Sequence, residues 1–282
     1  MKKISIILLF LSGTLLAQQK EFKKSLTGIK KVQITTGTRV NIITGTSNTI
    51  VIKNNINKSK DDDCGNCGDH HYDNDHEHDE KHNKEYRKKL NDKTKGLTAI
   101  YPGGKDNTNG YGFSVLKEGS TLIVKDLKSF YQRRAIIVEL PRDVNLALDT
   151  GTLGSAKIQG FTSEVEVNSN VGSINMTDVT GPITAHSSTG SINVQFVKVN
   201  QSSPITVSSA TGEIDVTMPA ATKANLELNT NGTVYSNFDI QPTTKKGLKN
   251  VSGLKKITTT LNDGGVKIKL KSAMGNIYLR KK

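Results

Sequence analysis

Between Gly154 and Tyr235 one short phrase recurs: a glycine, any residue, Ile or Val, a polar residue, then another apolar residue. The clearest copies are Gly172-Ser-Ile-Asn-Met176, Gly190-Ser-Ile-Asn-Val194 and Gly212-Glu-Ile-Asp-Val216, with a looser one at Gly232-Thr-Val-Tyr-Ser236. Their glycines, counted from Gly154, are spaced 18, 18, 22 and 20 residues apart. A steady period of about 20 residues is the mark of a solenoid. Half-copies lie between them, at Gly181-Pro-Ile-Thr-Ala185 and Ser203-Pro-Ile-Thr-Val207, which predicts two strands per turn.

Each copy alternates apolar and polar positions. Ile174 and Met176 point to one side, Ser173 and Asn175 to the other. Runs of this kind bounded by Gly, Asn, Ser and Thr read as short half-buried strands, which bury their apolar side only by stacking on neighbouring coils. The glycine before each strand is expected to turn the chain at positive φ. Pro182 and Pro204 stand at strand starts, where a missing donor costs least. The expectation is an all-β chain, a parallel β-helix (β-solenoid) of short strands with coils of about 18–22 residues. On its outer side Asn175, Asn193 and Asp215 should stack, one rung apart, as a polar ladder.

The rest of the chain divides around this body. Residues 1–17 carry Lys2 and Lys3, an apolar run from Ile4 to Leu11 and a small residue at Ala17, the pattern of a secretory signal peptide. The run is too short to span a bilayer, and no cysteine follows it to take a lipid. An exported protein with no integral membrane span is expected, in the periplasm, on the cell surface or outside the cell. Residues 18–53 hold strand-like Val32–Ile34, Val40–Ile42 and Ile50–Ile52, read as a first, capping unit of the solenoid. Residues 54–95 break the pattern and predict a disordered insertion. Residues 96–282 resume it, with strand-like Leu97–Ile100, Phe113–Val115, Thr121–Val124, Ala135–Leu140 and Asn145–Asp149 before the repeats. Near the end, Ile257–Leu261 and Val266–Leu270 flank Asn262-Asp-Gly-Gly265, a hairpin signal, and Gly275-Asn-Ile-Tyr-Leu279 is a last copy of the phrase.

This order of parts resembles a bacterial putative-adhesin family whose repeats read Gly-Asp-Ile or Gly-Ser-Ile. The resemblance is carried by the Thr-rich first unit, Val138-Glu-Leu-Pro-Arg-Asp143, the Gly-Ser-Ile and Gly-Glu-Ile coils and the closing Gly-Asn-Ile-Tyr-Leu. It implies a β-helix and an exported protein, and points toward adhesion. It brings no catalytic residues. The insertion departs from the family pattern.

The formal charge is +13. Residues 61–80 hold seven Asp and two Glu with no Lys or Arg, so the remainder after the leader is strongly basic. A basic body attracts anionic polysaccharide or another acidic cell-surface polymer. With 5% aromatic residues and no Trp, the chain is poorly equipped for the base-stacking platforms of single-stranded nucleic-acid binders.

Two groups of residues suggest chemistry. The insertion gathers Cys64 and Cys67 as C-x-x-C with His70, His71, His76, His78 and His82. Thiolate and imidazole together suit Zn, Cu or Ni, and the surrounding carboxylates would concentrate cations. In an oxidising compartment, however, Cys64 and Cys67 can pair with each other instead. The second group is Glu164, Glu166, Glu213, Asp215 and Glu227, candidates for the acidic face of a polysaccharide-active β-helix enzyme. His186 falls in a polar stretch read as a loop. The leading expectation is a non-enzymatic surface- or polymer-contact protein. Metal binding through the insertion is the alternative, and a polysaccharide-active enzyme the second.

Overall fold

The computed structural model describes residues 21–54, 93, 95–129, 132–240 and 255–282. Twenty strands occupy them, in two ten-stranded sheets. The first four are β1 (Glu21–Ser25), β2 (Lys31–Thr35), β3 (Val40–Gly45) and β4 (Thr49–Asn54). Next come β5 (Phe113–Glu118), β6 (Thr121–Asp126) and β7 (Ile136–Pro141). The repeats supply β8 (Asn145–Asp149), β9 (Ala156–Gln159), β10 (Val165–Ser169), β11 (Ile174–Val179), β12 (Ile183–Ser187) and β13 (Ile192–Phe196). They continue through β14 (Ile205–Ser209), β15 (Ile214–Met218), β16 (Ala224–Thr230) and β17 (Val234–Ser236). The chain closes with β18 (Lys255–Leu261), β19 (Val266–Ser272) and β20 (Ile277–Lys281).

The predicted solenoid forms, with two strands per turn. Sheet A runs β1-β4-β7-β3-β9-β11-β13-β15-β20-β17 and sheet B runs β18-β16-β19-β14-β12-β10-β8-β2-β6-β5. Within each, the coil strands are parallel and in register. Ile174, Ile192, Ile214 and Ile277 face one another rung to rung, as do Ile158, Met176, Val194, Val216 and Leu279. All nine of these side chains are buried. Burying each contributes on the order of 1.5–3 kcal/mol, which drives the stacking that single strands cannot achieve.

The repeat glycines serve a purpose other than the expected turn at positive φ. Gly172, Gly190, Gly212 and Gly275 are not among the glycines with positive φ. They sit where adjacent coils touch backbone to backbone. A Cβ at Gly172 would lie 2.0 Å from the Gly154 carbonyl oxygen, at Gly190 2.1 Å from that of Gly172, and at Gly212 2.2 Å from that of Gly190. Beside them runs a buried hydroxyl column of Ser169, Ser187, Ser209, Ser272 and Thr230. The Ser209 hydroxyl donates to the Gly190 carbonyl at 3.1 Å and accepts the Gly212 N–H at 2.9 Å. Ser272 repeats this between Gly212 and Gly275, and Thr230 between Gly275 and Gly232. Ser209, Ser272 and Thr230, like Ser187, thus satisfy a corner N–H in their own coil and a corner carbonyl in the neighbouring one, groups that would otherwise be buried unpaired, while Ser169 bonds to the Gly154 and Gly172 carbonyls.

Coil order in space differs from order in the sequence at both ends. The β2–β3 coil lies between the β6–β7 and β8–β9 coils, one rung inside the place expected of a capping unit. The outer edge of sheet A at that end is made by antiparallel β4 and β1. At the other end the last copy of the phrase, in β20, lies between β15 and β17. Its partner β19 lies between β14 and β16. The expected hairpin is therefore not formed. Strand β18 pairs antiparallel with β16, which separates it from β19, and Asn262, Asp263 and Gly264 carry the wide connection at positive φ. Leu97–Ile100 form no strand, and Leu97 and Ile100 are exposed.

Sheet B is blunted at its β5 edge by a side chain. The Asn107 amide donates to the Val115 carbonyl at 2.9 Å and accepts the Val115 N–H at 2.8 Å, in the manner of one more rung. Among the described residues no helix is long and apolar enough to cross a membrane.

Candidate contact surfaces

The polar ladder expected on the outer side of sheet A is present. Asn175 faces Asn193, and Asn193 faces Asp215. The column continues to Lys157 on one side and to Tyr278 and Tyr235 on the other. Arg280 clasps Asp215 through Nε and Nη2 at 2.9 Å. The Tyr278 ring stacks on Tyr235 with centroids 5.3 Å apart.

The candidate carboxylates do not share a face. Glu213 and Asp215 belong to the sheet A side, where Tyr278 and Asn276 donate to Glu213. Glu166 and Glu227 lie on sheet B, and Glu164 precedes β10 there. Glu166 pairs with Lys31 at 3.3 Å. The rungs run from Glu166 through Thr184, Thr206 and Lys269 to Glu227. Four rung spacings separate the two by roughly 19 Å, about twice the widest separation of an acid–base pair in glycoside hydrolysis. His186 lies within β12 rather than in a loop, exposed, with Nδ1 3.0 Å from the Ser208 hydroxyl.

Lysines gather on the outer side of sheet B at its C-terminal end. Strand β19 alternates inward Val266, Ile268 and Leu270 with outward Lys267, Lys269 and Lys271. Lys256 joins them from β18. Glu227 stands among them, its carboxylate 3.4 Å from Lys256, 3.6 Å from Lys267 and 3.4 Å from Lys269. The Asn229 amide donates to it at 3.3 Å. That hydrogen bond first, and Lys256 and Lys269 next, hold its carboxyl down to about 2. Lys271 has no ion-pair partner among the described residues. Beside the cluster lies an open depression of about 530 Å³ lined by Asn225, Glu227, Thr258, Thr260 and Lys267. The outward neighbours toward the middle of the sheet are the hydroxyl side chains Thr184, Thr206 and Ser208, with His186 beside Ser208.

The opposite end of the molecule contains a buried ion pair that the residue pattern does not advertise. Asp126 takes the place that a hydroxyl holds in the later coils, and its side chain is fully buried. It accepts from Lys128 Nζ at 2.8 Å, from the Lys128 N–H at 3.1 Å and from the Thr36 hydroxyl at 3.1 Å. Lys128 Nζ also donates to the Tyr111 carbonyl at 2.9 Å and sits 3.7 Å above the Phe113 ring. Burial pushes the Lys128 ammonium below its ordinary range, partly offset by Asp126. Arg133 Nε lies 4.0 Å from the same carboxylate, and the cluster reads as a structural plug at the end of the hydroxyl column.

The expected metal ligands Cys64, Cys67, His70, His71, His76, His78 and His82 lie outside the described residues, as does the leader. Among the described residues no group of three or more His, Cys, Asp and Glu side chains could hold a metal ion.

Residues 142–280, just under half of the chain, match a family model described as Toastrack DUF4097. The match takes in β8 to β19 and most of β20, and leaves out the β2–β3 and β6–β7 coils. A crystal structure of a putative cell adhesion protein from Clostridium sporogenes is similar over 93% of this chain and 99% of its own, with 11% identity and a TM-score of 0.40. None of the curated proteins matches the chain.

Proposed function

We propose that this chain is an exported β-solenoid that makes contact with an anionic polymer of the cell surface or its surroundings, adhesin-like in the broad sense, and performs no chemistry. The observation that carries the reading is the outer side of sheet B. There an in-register field of hydroxyl and amide side chains leads into lysine-bearing strands at regular spacing. Such a surface offers an extended polymer many weak contacts at once, the usual use of solenoid faces. Four of the candidate carboxylates, Glu166, Asp215, Glu213 and Glu227, are engaged by Lys31, Arg280, Tyr278 and the sheet B lysines, placed for surface packing rather than acid–base work. A signal-peptide-like leader supports export.

The reading predicts that the chain binds a polyanionic polysaccharide such as polygalacturonate, and that affinity falls by about tenfold or more between about 50 and 500 mM salt, because exposed charges are screened over that range. Equilibrium titration at a salt series checks it. Binding that ignores salt, or preference for a neutral glucan, would contradict it. A second reading, metal handling by Cys64, Cys67 and the five histidines of residues 70–82, is supported by their density in the sequence, with Zn, Cu or Ni as the candidate ions.

A further inference from the structure

We infer that the lysine-lined end of sheet B is the binding site for a linear, carboxylate-bearing polysaccharide, and that Glu227 fills from within the protein the place of one of the ligand's carboxylates. The inference rests on the polymer-contact reading above and gives it a location and a ligand class.

Three ammonium groups converge on the single Glu227 carboxylate at 3.4–3.6 Å, so the cluster carries an excess of positive charge around one anion. The arrangement already coordinates a carboxylate, with an amide from Asn229 completing the set. Lys271, two residues along the strand, points outward with no such partner among the described residues and extends the cationic row beyond what Glu227 neutralises. Successive outward lysines on β19 are roughly 6.6 Å apart and neighbouring strands about 4.8 Å apart. That grid repeats on the scale of a sugar ring.

The chemistry of the surroundings favours a polysaccharide over other polyanions. Thr206, Ser208, Asn225, Asn229, Thr258 and Thr260 surround the lysines with short groups that donate to and accept from sugar hydroxyls. No Phe, Tyr or Trp stands on the outer side of β12, β14, β16, β18 or β19, and the single imidazole of His186 makes no row of rings for successive unstacked bases. The outward side chains of β19 are all lysines, with no large apolar group beside them to enter a lipid interface.

The test measures polygalacturonate affinity of the full chain and of Glu227→Gln, Lys271→Glu, Lys269→Glu with Lys271→Glu, and Lys157→Glu. The last makes the same charge change on the outer side of sheet A. The site predicts that Glu227→Gln binds about three- to fivefold more tightly, because the internal competitor is neutralised, and that the double lysine variant binds at least about tenfold more weakly. Lys157→Glu should change affinity less than about twofold. Lys271→Glu touches no Glu227 pair, so it reports on binding even where Glu227→Gln disturbs the strands, and it should weaken binding on its own. Equal weakening by Lys157→Glu and Lys271→Glu would overturn the site and leave only net charge. Absence of polygalacturonate binding by the unaltered chain would overturn both the site and the reading beneath it.

Discussion

Replacing Gly190 by alanine should destabilise the protein by about 3 kcal/mol, at the upper end of what overpacking costs. The added methyl carbon would stand 2.1 Å from the Gly172 carbonyl oxygen and 2.5 Å from its carbon, atoms of a neighbouring coil's backbone that no rotamer change can move aside. Relief requires the coils to part, and parting lengthens the ladder bonds and the Ser187 hydroxyl bridge at that corner, which accepts the Gly190 N–H and donates to the Gly172 carbonyl. Gly103→Ala is the control. Its Cβ would meet only Leu127 Cδ2 at 3.6 Å, ordinary contact, and its φ is not positive. That substitution should be neutral or slightly stabilising, as Gly-to-Ala changes are at compatible sites. Chemical denaturation of the two variants side by side checks the claim. Similar stability for both would show that the glycine stack is not close-packed.

Asp126→Ala should cost about 3 kcal/mol, because it takes the buried counter-charge from the partly buried Lys128 ammonium and from Arg133, 4.0 Å away. Lys128 would retain the Tyr111 carbonyl and the Phe113 ring, neither of which replaces a carboxylate at 2.8 Å. The Thr36 hydroxyl and the Lys128 N–H would lose their acceptor as well. Adding Lys128→Met to Asp126→Ala should recover part of the loss, since the Asp126–Lys128 pair gains little over apolar packing, while Arg133 still lacks the Asp126 carboxylate. A double variant as unstable as Asp126→Ala would mean that the carboxylate matters through Thr36 and the backbone rather than through the charge pair.

The repeat was legible because its physics is local. Two-residue alternation in Gly172–Met176 and its relatives specifies which side chains are buried, and the observed registers pair Ile174 with Ile192 and Asn175 with Asn193 as the spacing implies. The function of the glycines was harder to read. Ser169, Ser187, Ser209 and Ser272 each stand three residues before a repeat glycine, a pattern visible in the chain. Its meaning depends on the neighbouring coil's carbonyl, which single-coil reasoning does not include. Coil order was not legible at all. Inward residues are nearly interchangeable Ile, Val, Leu and Met, and ladder bonds are blind to side chains, so one Gly-x-Ile coil can neighbour almost any other. This is how Gly275–Leu279 comes to rest on the Gly212 coil, 63 residues earlier, instead of following Gly232. The hairpin signal at 262–265 failed for the same reason: β16 was available to both of its arms. The lysine cluster was half legible. The alternation in Val266–Leu270 put Lys267 and Lys269 on one side, but their convergence on Glu227 depends on β16 lying beside β19.

The polymer-contact account places function on the solenoid surface, and the metal account places it in the insertion. The most direct measurement compares polygalacturonate binding by the full chain and by a chain lacking residues 61–82, with and without a chelator, after confirming that both unfold at the same temperature. The deletion removes nine acidic residues and a single lysine, Lys81, a net loss of eight negative charges. The account predicts that binding survives both treatments, remains salt-sensitive, and is as tight or tighter in the deleted chain, because a repelling charge has been removed. Binding that disappears with residues 61–82, or that needs a metal the chelator removes, would contradict it and assign the function to the cysteine- and histidine-rich insertion.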